Sequence, residues 1–147
     1  MSRADLDLVR RLALGDNGLV VVSTTRPDGT IQSSVVNASV LPDPDGGGDV
    51  VALVAGGGTR KLDHLRARPR ITVVFRVGWE WVAVEGPTRI VGPDESPAPD
   101  PEALRVLLRD VFAATGRPHD DWVEYDRVMR EERRAAVLVT PERITSN

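Results

Sequence analysis

The sequence predicts a mainly β, α+β fold in which six antiparallel strands form a small closed or nearly closed barrel with peripheral helices. Six segments rich in β-branched residues are separated by clusters of turn residues. Consecutive strands joined by tight turns pair antiparallel, and helical segments are few. An open α+β sandwich is the alternative arrangement. The length of 147 residues is that of one ordinary domain, so we expect a single domain over 1–147.

The six strands are predicted from runs of β-branched and apolar residues bounded by turn residues. They cover residues 19–25, 30–40, 50–55, 71–76, 79–91 and 135–139. Residues 26–29 (Arg-Pro-Asp-Gly) join the first two strands, with Pro and Gly placed for a type I hairpin turn. Gly86-Pro87 predicts a bulge in the fifth strand.

Four helices are predicted from apolar periodicity and capping residues. They cover residues 2–14, a segment from 60 that ends before Pro69, a segment from 101 that ends at Gly116, and about 120–133. In the first helix, Ser2 and Asp5 form a capping box. In the third, Pro101 occupies the first helical position, where its missing N–H has no cost.

The composition excludes several classes of protein and site. The chain has no cysteine, which excludes disulfides and thiolate sites and suits a reducing compartment. The net charge of −3 gives no general attraction to nucleic acid or to anionic lipid. Apolar runs are too short to span a bilayer, and the acids near the N-terminus do not fit a signal peptide. We therefore expect a cytoplasmic protein without nucleic-acid or membrane partners.

The strongest local signal is residues 56–61, Gly-Gly-Gly-Thr-Arg-Lys. Glycines let the backbone approach a ligand closely, and Thr59 is a good N-cap for the helix that follows. Arg60 and Lys61 lie in the first helical turn, where the helix dipole disfavours cations. A bound anion such as phosphate accounts for this placement. Lys61 is the single lysine among 19 basic residues. The alternative is a glycine-rich loop with two solvated cations.

Short polar residues in the second strand are candidate contacts for a flat ring. Four polar residues interrupt an otherwise apolar strand: Gln32, Ser33, Ser34 and Asn37. Small hydroxyl side chains leave room for a ring and can hydrogen-bond its edge. Val36 shares a face with Gln32 and Ser34. Which face meets a ligand stays open, because a one-residue change of register exchanges the two faces. A half-exposed strand without a ligand is an equally good interpretation.

The remaining candidates are aromatic and imidazole side chains. Trp79 and Trp81 share one face of the predicted fifth strand, where they could stack on a planar ligand, pack at a subunit interface or simply fill the core. His64 and His119 lack a third ligand, so we expect no metal site. No catalytic triad or carboxylate pair is evident, and we assign no catalytic residue.

The order of these motifs resembles the pyridoxamine 5′-phosphate oxidase-like split β-barrel proteins. The resemblance covers nearly the whole chain. It rests on the Pro-Asp-Gly hairpin, the buried third strand, residues 59–61, 68–70 (Arg-Pro-Arg) and 81–86 (Trp-Val-Ala-Val-Glu-Gly). It implies a six-stranded antiparallel split β-barrel. In that family a Ser-Arg-Lys after strand three holds the flavin phosphate, which implies the same role for Thr59, Arg60 and Lys61.

Departures from the family's oxidases argue against the making of pyridoxal phosphate. The second strand lacks the Arg and Lys that hold FMN in the oxidases. Trp81 stands where the oxidases have the glutamine that contacts the flavin from the partner subunit. The C-terminal Trp and Arg segment that recognises pyridoxal in the oxidases has no counterpart in this sequence.

The segment with Trp122, Tyr125, Met129 and Arg133-Arg134 is similar to actinobacterial members that bind the deazaflavin coenzyme F420. The resemblance implies an F420H2-dependent reductase that transfers a hydride to an unsaturated small-molecule substrate of the quinone, tetrapyrrole or enone class. It also implies a homodimer whose two cofactor sites use both subunits. The cofactor carries the hydride chemistry, so no acid–base residue is required. An FMN-dependent oxidoreductase and a non-catalytic F420 carrier are the alternatives.

Overall fold

The computed structural model describes residues 5–147 and contains seven strands and four helices. The strands are β1 (Leu19–Thr25), β2 (Ile31–Pro42), β3 (Asp49–Ala55), β4 (Arg70–Val77), β5 (Glu80–Val91), β6 (Ala135–Val139) and β7 (Arg143–Ser146). The helices are α1 (Leu6–Gly15), α2 (Arg60–Ala67), α3 (Pro101–Ala113) and α4 (Trp122–Glu131). None of the helices within residues 5–147 is long and apolar enough to cross a bilayer.

Six of the strands close into an antiparallel barrel, which confirms the predicted fold class and excludes the open sandwich. The strand order is β4-β1-β2-β3-β6-β5, and pairing of β4 with β5 closes the ring. The sequence prediction missed β7, which continues the course of β6 along the same edge of β5. At only four residues, β7 falls below the length at which alternation is recognisable.

The strand pairing is irregular at Gly86-Pro87, as predicted, but the additional residue lies in the segment between β6 and β7 that faces these two residues. Thr88 pairs with Val139 and Glu85 pairs with Arg143, so two residues of β5 oppose three residues between β6 and β7. A Cβ on Gly86 would lie 1.8 Å from the carbonyl oxygen of Thr140. Glycine is therefore required where the two segments cross.

The register of β1 and β2 settles which face of β2 points into the barrel. Val22 of β1 is buried and pairs with Ser34, and buried Thr24 pairs with Gln32. Side chains of a cross-strand pair lie on the same face of a sheet. Gln32, Ser34 and Val36 therefore face the barrel interior, whereas Ser33 faces outward.

The outer face of β3 and β6 is covered by α3 and α4, which form a second apolar core. Its fully or nearly buried members are Leu41, Val50, Ala52, Leu107, Leu108, Val111, Tyr125, Ala136 and Leu138. Both faces of β3 and β6 are thus buried, as the unbroken apolar run of residues 50–55 predicts. This helical layer supplies one wall of the candidate site.

Two predicted element boundaries are corrected. The cap of α1 is Asp5, whose Oδ1 accepts a hydrogen bond of 3.1 Å from the backbone N–H of Leu8; Ser2 lies outside the described residues. Trp79 is not in β5 but in the two-residue turn between β4 and β5, because Val77 pairs with Glu80 and Gly78 has a φ of +61°. In the β1–β2 turn, Gly29 N–H donates to Arg26 O at 2.9 Å, as predicted.

Candidate functional site

The glycine loop between β3 and α2 is clamped under the connection from α4 to β6. The N–H of Gly57 donates to the carbonyl oxygen of Glu132 at 2.9 Å. A Cβ on Gly57 would lie 2.6 Å from the carbonyl oxygen of Arg133, so only glycine fits without a shift of the backbone. This close approach places the start of α2 beside residues 132–134.

Lys61 and Arg134 form the cationic centre of the site. Partial burial lowers the pKa of the Lys61 ammonium, and the positive charge of nearby Arg134 lowers it further. The Nη2 of Arg134 donates to Glu132 Oε1 at 3.1 Å, whereas its Nε is buried without a hydrogen-bond partner among the described residues. Two neighbouring cations that lack full compensation favour a bound anion.

Thr59 adds a hydroxyl group whose hydrogen-bonding capacity is unused. Its backbone is extended, with φ −76° and ψ 151°, as expected for the N-cap of α2. The side chain makes no capping hydrogen bond, however, and its Oγ1 is buried without a partner among the described residues. A buried hydroxyl of this kind costs free energy unless a ligand satisfies it. Arg60 is exposed on the same turn.

A cavity of about 380 Å³, here called the β2 cavity, lies between β2, the end of β3 and the α3–α4 layer. Its lining residues are Val35, Val36, Asn37, Val54, Val111, Phe112, Thr115, Arg117, Tyr125, Met129 and Arg134. The lining contains two guanidinium groups and no carboxylate. Arg134 belongs to both the β2 cavity and the cationic centre. Its side chain lines the cavity, and its positive charge lowers the pKa of Lys61.

Aromatic packing fixes one wall of the β2 cavity. The rings of Phe112 and Tyr125 meet edge to face with centroids 5.4 Å apart. The hydroxyl of Tyr125 donates to Leu108 O at 2.8 Å, and burial raises the pKa of this phenol to about 12. Tyr125 is therefore a neutral structural wall at physiological pH. The guanidinium of Arg117 lies 4.9 Å from the centroid of the Phe112 ring, and its Nε is buried without a partner among residues 5–147.

The predicted contacts from β2 divide between two faces. Val36 lines the β2 cavity. Gln32 and Ser34 face the barrel interior and do not line this cavity; the Oε1 of Gln32 is buried without a partner among the described residues. Ser33 lies on the outer surface, where its hydroxyl is 2.9 Å from that of Ser23.

Trp79 and Trp81 lie in the β4–β5 turn and at the start of β5, respectively. Trp79 is 93% exposed at the tip of the β4–β5 turn. Trp81 is half-buried, and its backbone N–H donates to Asn147 Oδ1 at 3.1 Å. Neither residue lines the β2 cavity of this chain.

Both histidines have structural partners. His64 is buried in α2, with Nδ1 3.0 Å from the hydroxyl of Thr24. The ring of His119 packs 5.3 Å from Phe112 and from Trp122. Within residues 5–147, no three His, Cys, Asp or Glu side chains are grouped so as to hold a metal ion.

Arg117 is the site residue that sequence reasoning missed. It lies in the connection between α3 and α4, where neither periodicity nor a motif marks it. Arg134 entered the sequence analysis only through the family resemblance. The sequence around Arg117 and Arg134 does not mark either as a binding residue, because each is one of 19 lysines and arginines in the chain.

The chain matches the family model described as pyridoxamine 5′-phosphate oxidase over residues 9–146. A comparison with curated proteins finds no significant match. Among solved structures, a pyridoxamine 5′-phosphate oxidase-related, FMN-binding protein from Nostoc punctiforme is similar at 13% identity with a TM-score of 0.69, covering 99% of this chain and 86% of that one.

Two further solved structures share the fold. A conserved hypothetical protein from Mycobacterium tuberculosis is 23% identical with a TM-score of 0.68, covering 99% of this chain and 84% of that one. A protein described as an F420 reductase is 19% identical with a TM-score of 0.62, covering 99% of this chain and 98% of that one. At these identities the structures establish the shared fold, and the match over residues 9–146 establishes the family. The chain therefore belongs to the pyridoxamine 5′-phosphate oxidase family and has a split β-barrel fold.

Proposed function

We propose that this protein is an F420H2-dependent reductase that acts on an unsaturated small molecule. The observation that carries the proposal is that Arg134 belongs both to the candidate anion site and to the β2 cavity, whose lining holds no carboxylate. Thr59, Lys61 and Arg134 would hold the phosphate of the cofactor. The β2 cavity, with Val36 in its wall, would receive the planar ring.

The donor set fits a cofactor with an anionic group at the end of an extended chain. The buried Thr59 hydroxyl and the Arg134 Nε both lack partners within the described residues, and Lys61 is held at a lowered pKa. Binding of a phosphate would satisfy the two orphaned groups and raise the pKa of Lys61. Arg117 offers a second guanidinium in the β2 cavity. A ligand with more than one anionic group is therefore favoured over one that ends at a single phosphate.

The residues around the β2 cavity bind and orient rather than transfer protons. The hydroxyl of Tyr125 donates a hydrogen bond to the carbonyl oxygen of Leu108 and has a raised pKa, and arginine stays protonated. When bound, reduced F420 supplies a hydride and a proton, so that an acceptor C=C bond becomes CH–CH and the cofactor is oxidised by two electrons. The apolar side chains of Val36, Val54 and Val111 would contact the ring in this cavity.

An FMN-dependent oxidoreductase is the second candidate. It is favoured by the family match and by the FMN-binding protein from Nostoc punctiforme with the same fold. Against it, residues 30–40 of the second strand contain neither of the cations, Arg and Lys, that hold FMN in the family's oxidases.

We also propose that the protein acts as a homodimer whose second copy closes the β2 cavity. Leu19, Val21, Ile31 and Val35 form an exposed apolar stripe on the outer face of β1 and β2. Val35 belongs both to this stripe and to the cavity wall. Large exposed apolar stripes are typical of subunit interfaces. Trp81 of a second copy would then be available to the cofactor ring, as the family resemblance implies.

Fluorescence titration of the purified protein with F420 and with FMN tests the proposal. We expect binding of F420 at micromolar concentration and weaker binding of FMN. Release of stoichiometric FMN from the denatured protein, together with no change in F420 fluorescence, would establish the second candidate instead. Binding of F420H2 without oxidation by any quinone, tetrapyrrole or enone would identify a carrier rather than a reductase.

A further inference from the structure

The candidate anion site contains a carboxylate in addition to its two cations. The Nη2 of Arg134 donates to the Oε1 of Glu132 at 3.1 Å, and Glu132 Oε2 lies 3.5 Å from the same nitrogen. The Lys61 ammonium forms no ion pair within residues 5–147. Glu132 therefore offsets one of the two positive charges, and the three side chains together carry a single net positive charge.

The backbone holds Glu132 beside the glycine loop. Its carbonyl oxygen accepts from Gly57 N–H at 2.9 Å, and its own N–H donates to Val128 O at 2.9 Å. Glu132 is also the C-cap of α4, where the helix dipole disfavours a negative charge. The helix therefore does not stabilise this carboxylate, whose partner is the guanidinium of the anion site.

The other charged groups around the start of α2 are paired or exposed. Arg133 lies 3.4 Å from Asp94, and Asp63 accepts from Arg66 at 3.1 Å. Arg60 is exposed, where water and salt screen its charge. Strand β2 contains no lysine or arginine. The charge that a ligand meets in the site is therefore set by the two cations of the site and their one carboxylate.

Phosphate groups differ in charge according to their substitution. A phosphomonoester carries nearly two negative charges at neutral pH, because its second pKa is about 6. A phosphodiester has one ionisable oxygen and carries a single negative charge. FMN ends in a monoester, whereas the phosphate of F420 links the ring-bearing chain to the anionic tail and is a diester. The two candidate cofactors therefore bring different charges to the same site.

The net charge of the site fits the diester. Attraction to the site grows in proportion to the charge of the phosphate, whereas the cost of removing that charge from water grows with its square. A phosphate bound to the unpartnered Nε of Arg134 would share this guanidinium with Glu132. A monoester would therefore leave one uncompensated negative charge next to a carboxylate, and a diester would leave none.

We propose that Glu132 is a specificity-determining residue that makes the anion site select a phosphodiester over a phosphomonoester. The carboxylate lowers the net charge of the site to the value that a diester neutralises, and it repels the second negative charge of a monoester. The inference rests on the proposed function for the location of the phosphate, and it assigns the choice between F420 and FMN to one side chain.

A matched pair of ligands tests this inference. FMN and its phosphate methyl ester have the same ring and chain, and they differ by one methyl group and one charge. In flavin fluorescence titrations at pH 8, we expect the wild type to bind the methyl ester more tightly than FMN. Equal affinities, or tighter binding of FMN, would overturn the inference on the wild type alone.

Glu132→Gln removes the carboxylate and leaves the backbone contact with Gly57 in place. Repulsion between unit charges on opposite sides of one guanidinium is worth about a threefold change in affinity in a water-like medium. The variant should therefore bind the methyl ester about threefold more tightly and FMN roughly tenfold more tightly. An unchanged ratio of the two affinities would show that Glu132 does not set the preference.

Glu131→Gln is the matched control. It removes an equal charge from the adjacent position, where the carboxylate accepts from Arg127 Nη1 at 2.7 Å. This variant should keep the wild-type ratio of the two affinities. A change as large as that of Glu132→Gln would assign the effect to net surface charge and overturn the role of the carboxylate on Arg134. Thermal melts of both variants should stay close to the wild type, because exposed ion pairs contribute little stability.

Two probes without a ring separate failure of the inference from failure of the proposed function. In 15N–1H correlation spectra of the wild type, we expect dimethyl phosphate to shift the amide signals of residues 57–61 and 134 at lower concentration than methyl phosphate does. This result without any binding of F420 would overturn the proposed function and leave the charge selection standing. Binding of F420 together with an unchanged ratio in Glu132→Gln would overturn the inference and leave the proposed function standing.

Discussion

Replacement of Lys61 by methionine should weaken anion binding and stabilise the protein that carries no ligand. Methionine keeps the length of the side chain and removes its charge. The ammonium of Lys61 is partly buried near Arg134, and both effects lower its pKa. The charge of Lys61 therefore destabilises the ligand-free fold, and a bound anion offsets this effect. Removal of the charge should lower anion affinity and raise the stability of the ligand-free protein.

The size of the binding effect follows from the number of charged contacts. Lys61, Arg134 and the Thr59 hydroxyl are the groups available to a phosphate. Loss of one charge-assisted hydrogen bond costs roughly 1.5–3 kcal/mol, which is about a 10- to 100-fold loss of affinity. Arg134 remains in the variant, so some binding should persist.

The lowered pKa of Lys61 also fixes the sign of the pH dependence. Between the lowered pKa of the folded protein and the ordinary value of 10.5, the unfolded chain binds more protons than the folded one. The free energy of unfolding of the wild type should therefore rise with pH across this window. Lys61→Met should lack this rise. Phosphate binding to the wild type should weaken over the same window, because the ammonium loses its proton.

The assay combines an F420 and a phosphate titration with thermal melts of the ligand-free protein. Arg127→Met is the matched control, since it removes one charge from the exposed face of α4. Wild-type affinity in Lys61→Met would refute the assignment of the glycine loop as the phosphate site. A much lower melting temperature of Lys61→Met would show instead that Lys61 forms a structural ion pair.

Three further substitutions test the frame of the site. Gly57→Ala should destabilise the fold by about 1–3 kcal/mol in urea unfolding, because the new Cβ would lie 2.6 Å from the carbonyl oxygen of Arg133. Unfolding at the wild-type urea midpoint would contradict the close packing of the glycine loop against residues 132–133. Val35→Asp, at a position that is 66% exposed, should leave the chain folded and convert a dimer to a monomer in sedimentation velocity; an unchanged dimer would place the interface elsewhere. Ser34→Leu should lower the melting temperature because Ser34 faces the barrel interior, whereas Ser33→Leu on the outer face should not; equal melts would contradict the register of β1 and β2.

The barrel was predictable because its signals are local. Alternating and β-branched runs, the turn at residues 26–29 and the capping residues each depend on a few neighbouring positions. The orientation of β2 was not predictable, since Ser33 and Ser34 exchange faces with a one-residue change of register. The pairing of Ser34 with Val22 determines which face of β2 points into the barrel, and this pairing cannot be read from the residues of β2 alone. The placement of Trp79 failed for a related reason, because the turn residues are set by the pairing of Val77 with Glu80.

The candidate site was predictable only where it is contiguous in the sequence. Thr59 and Lys61 follow a glycine run directly, so the chemistry of a helix start identifies them. Arg117 and Arg134 reach the site through tertiary structure, one from the α3–α4 connection and the other from the start of β6. Nothing at those positions distinguishes them from the other arginines of an arginine-rich chain.

The barrel and the α3–α4 layer contribute different parts of the candidate site. The barrel supplies the walls of β2 and β3, and the glycine loop follows β3. Within residues 5–147, the two buried guanidinium nitrogens without a partner, the Nε atoms of Arg117 and Arg134, come from segments outside the strands. The α3–α4 layer supplies Arg117, and the return of the chain from α4 to β6 lays Arg134 beside the loop, where Gly57 admits the backbone of Arg133. Because β6 pairs with β3 in the barrel and Arg134 directly precedes β6, this strand pairing helps to fix the position of Arg134. Loss of Arg117 or Arg134 should therefore lower cofactor affinity, whereas a change in the barrel should appear first as a loss of stability.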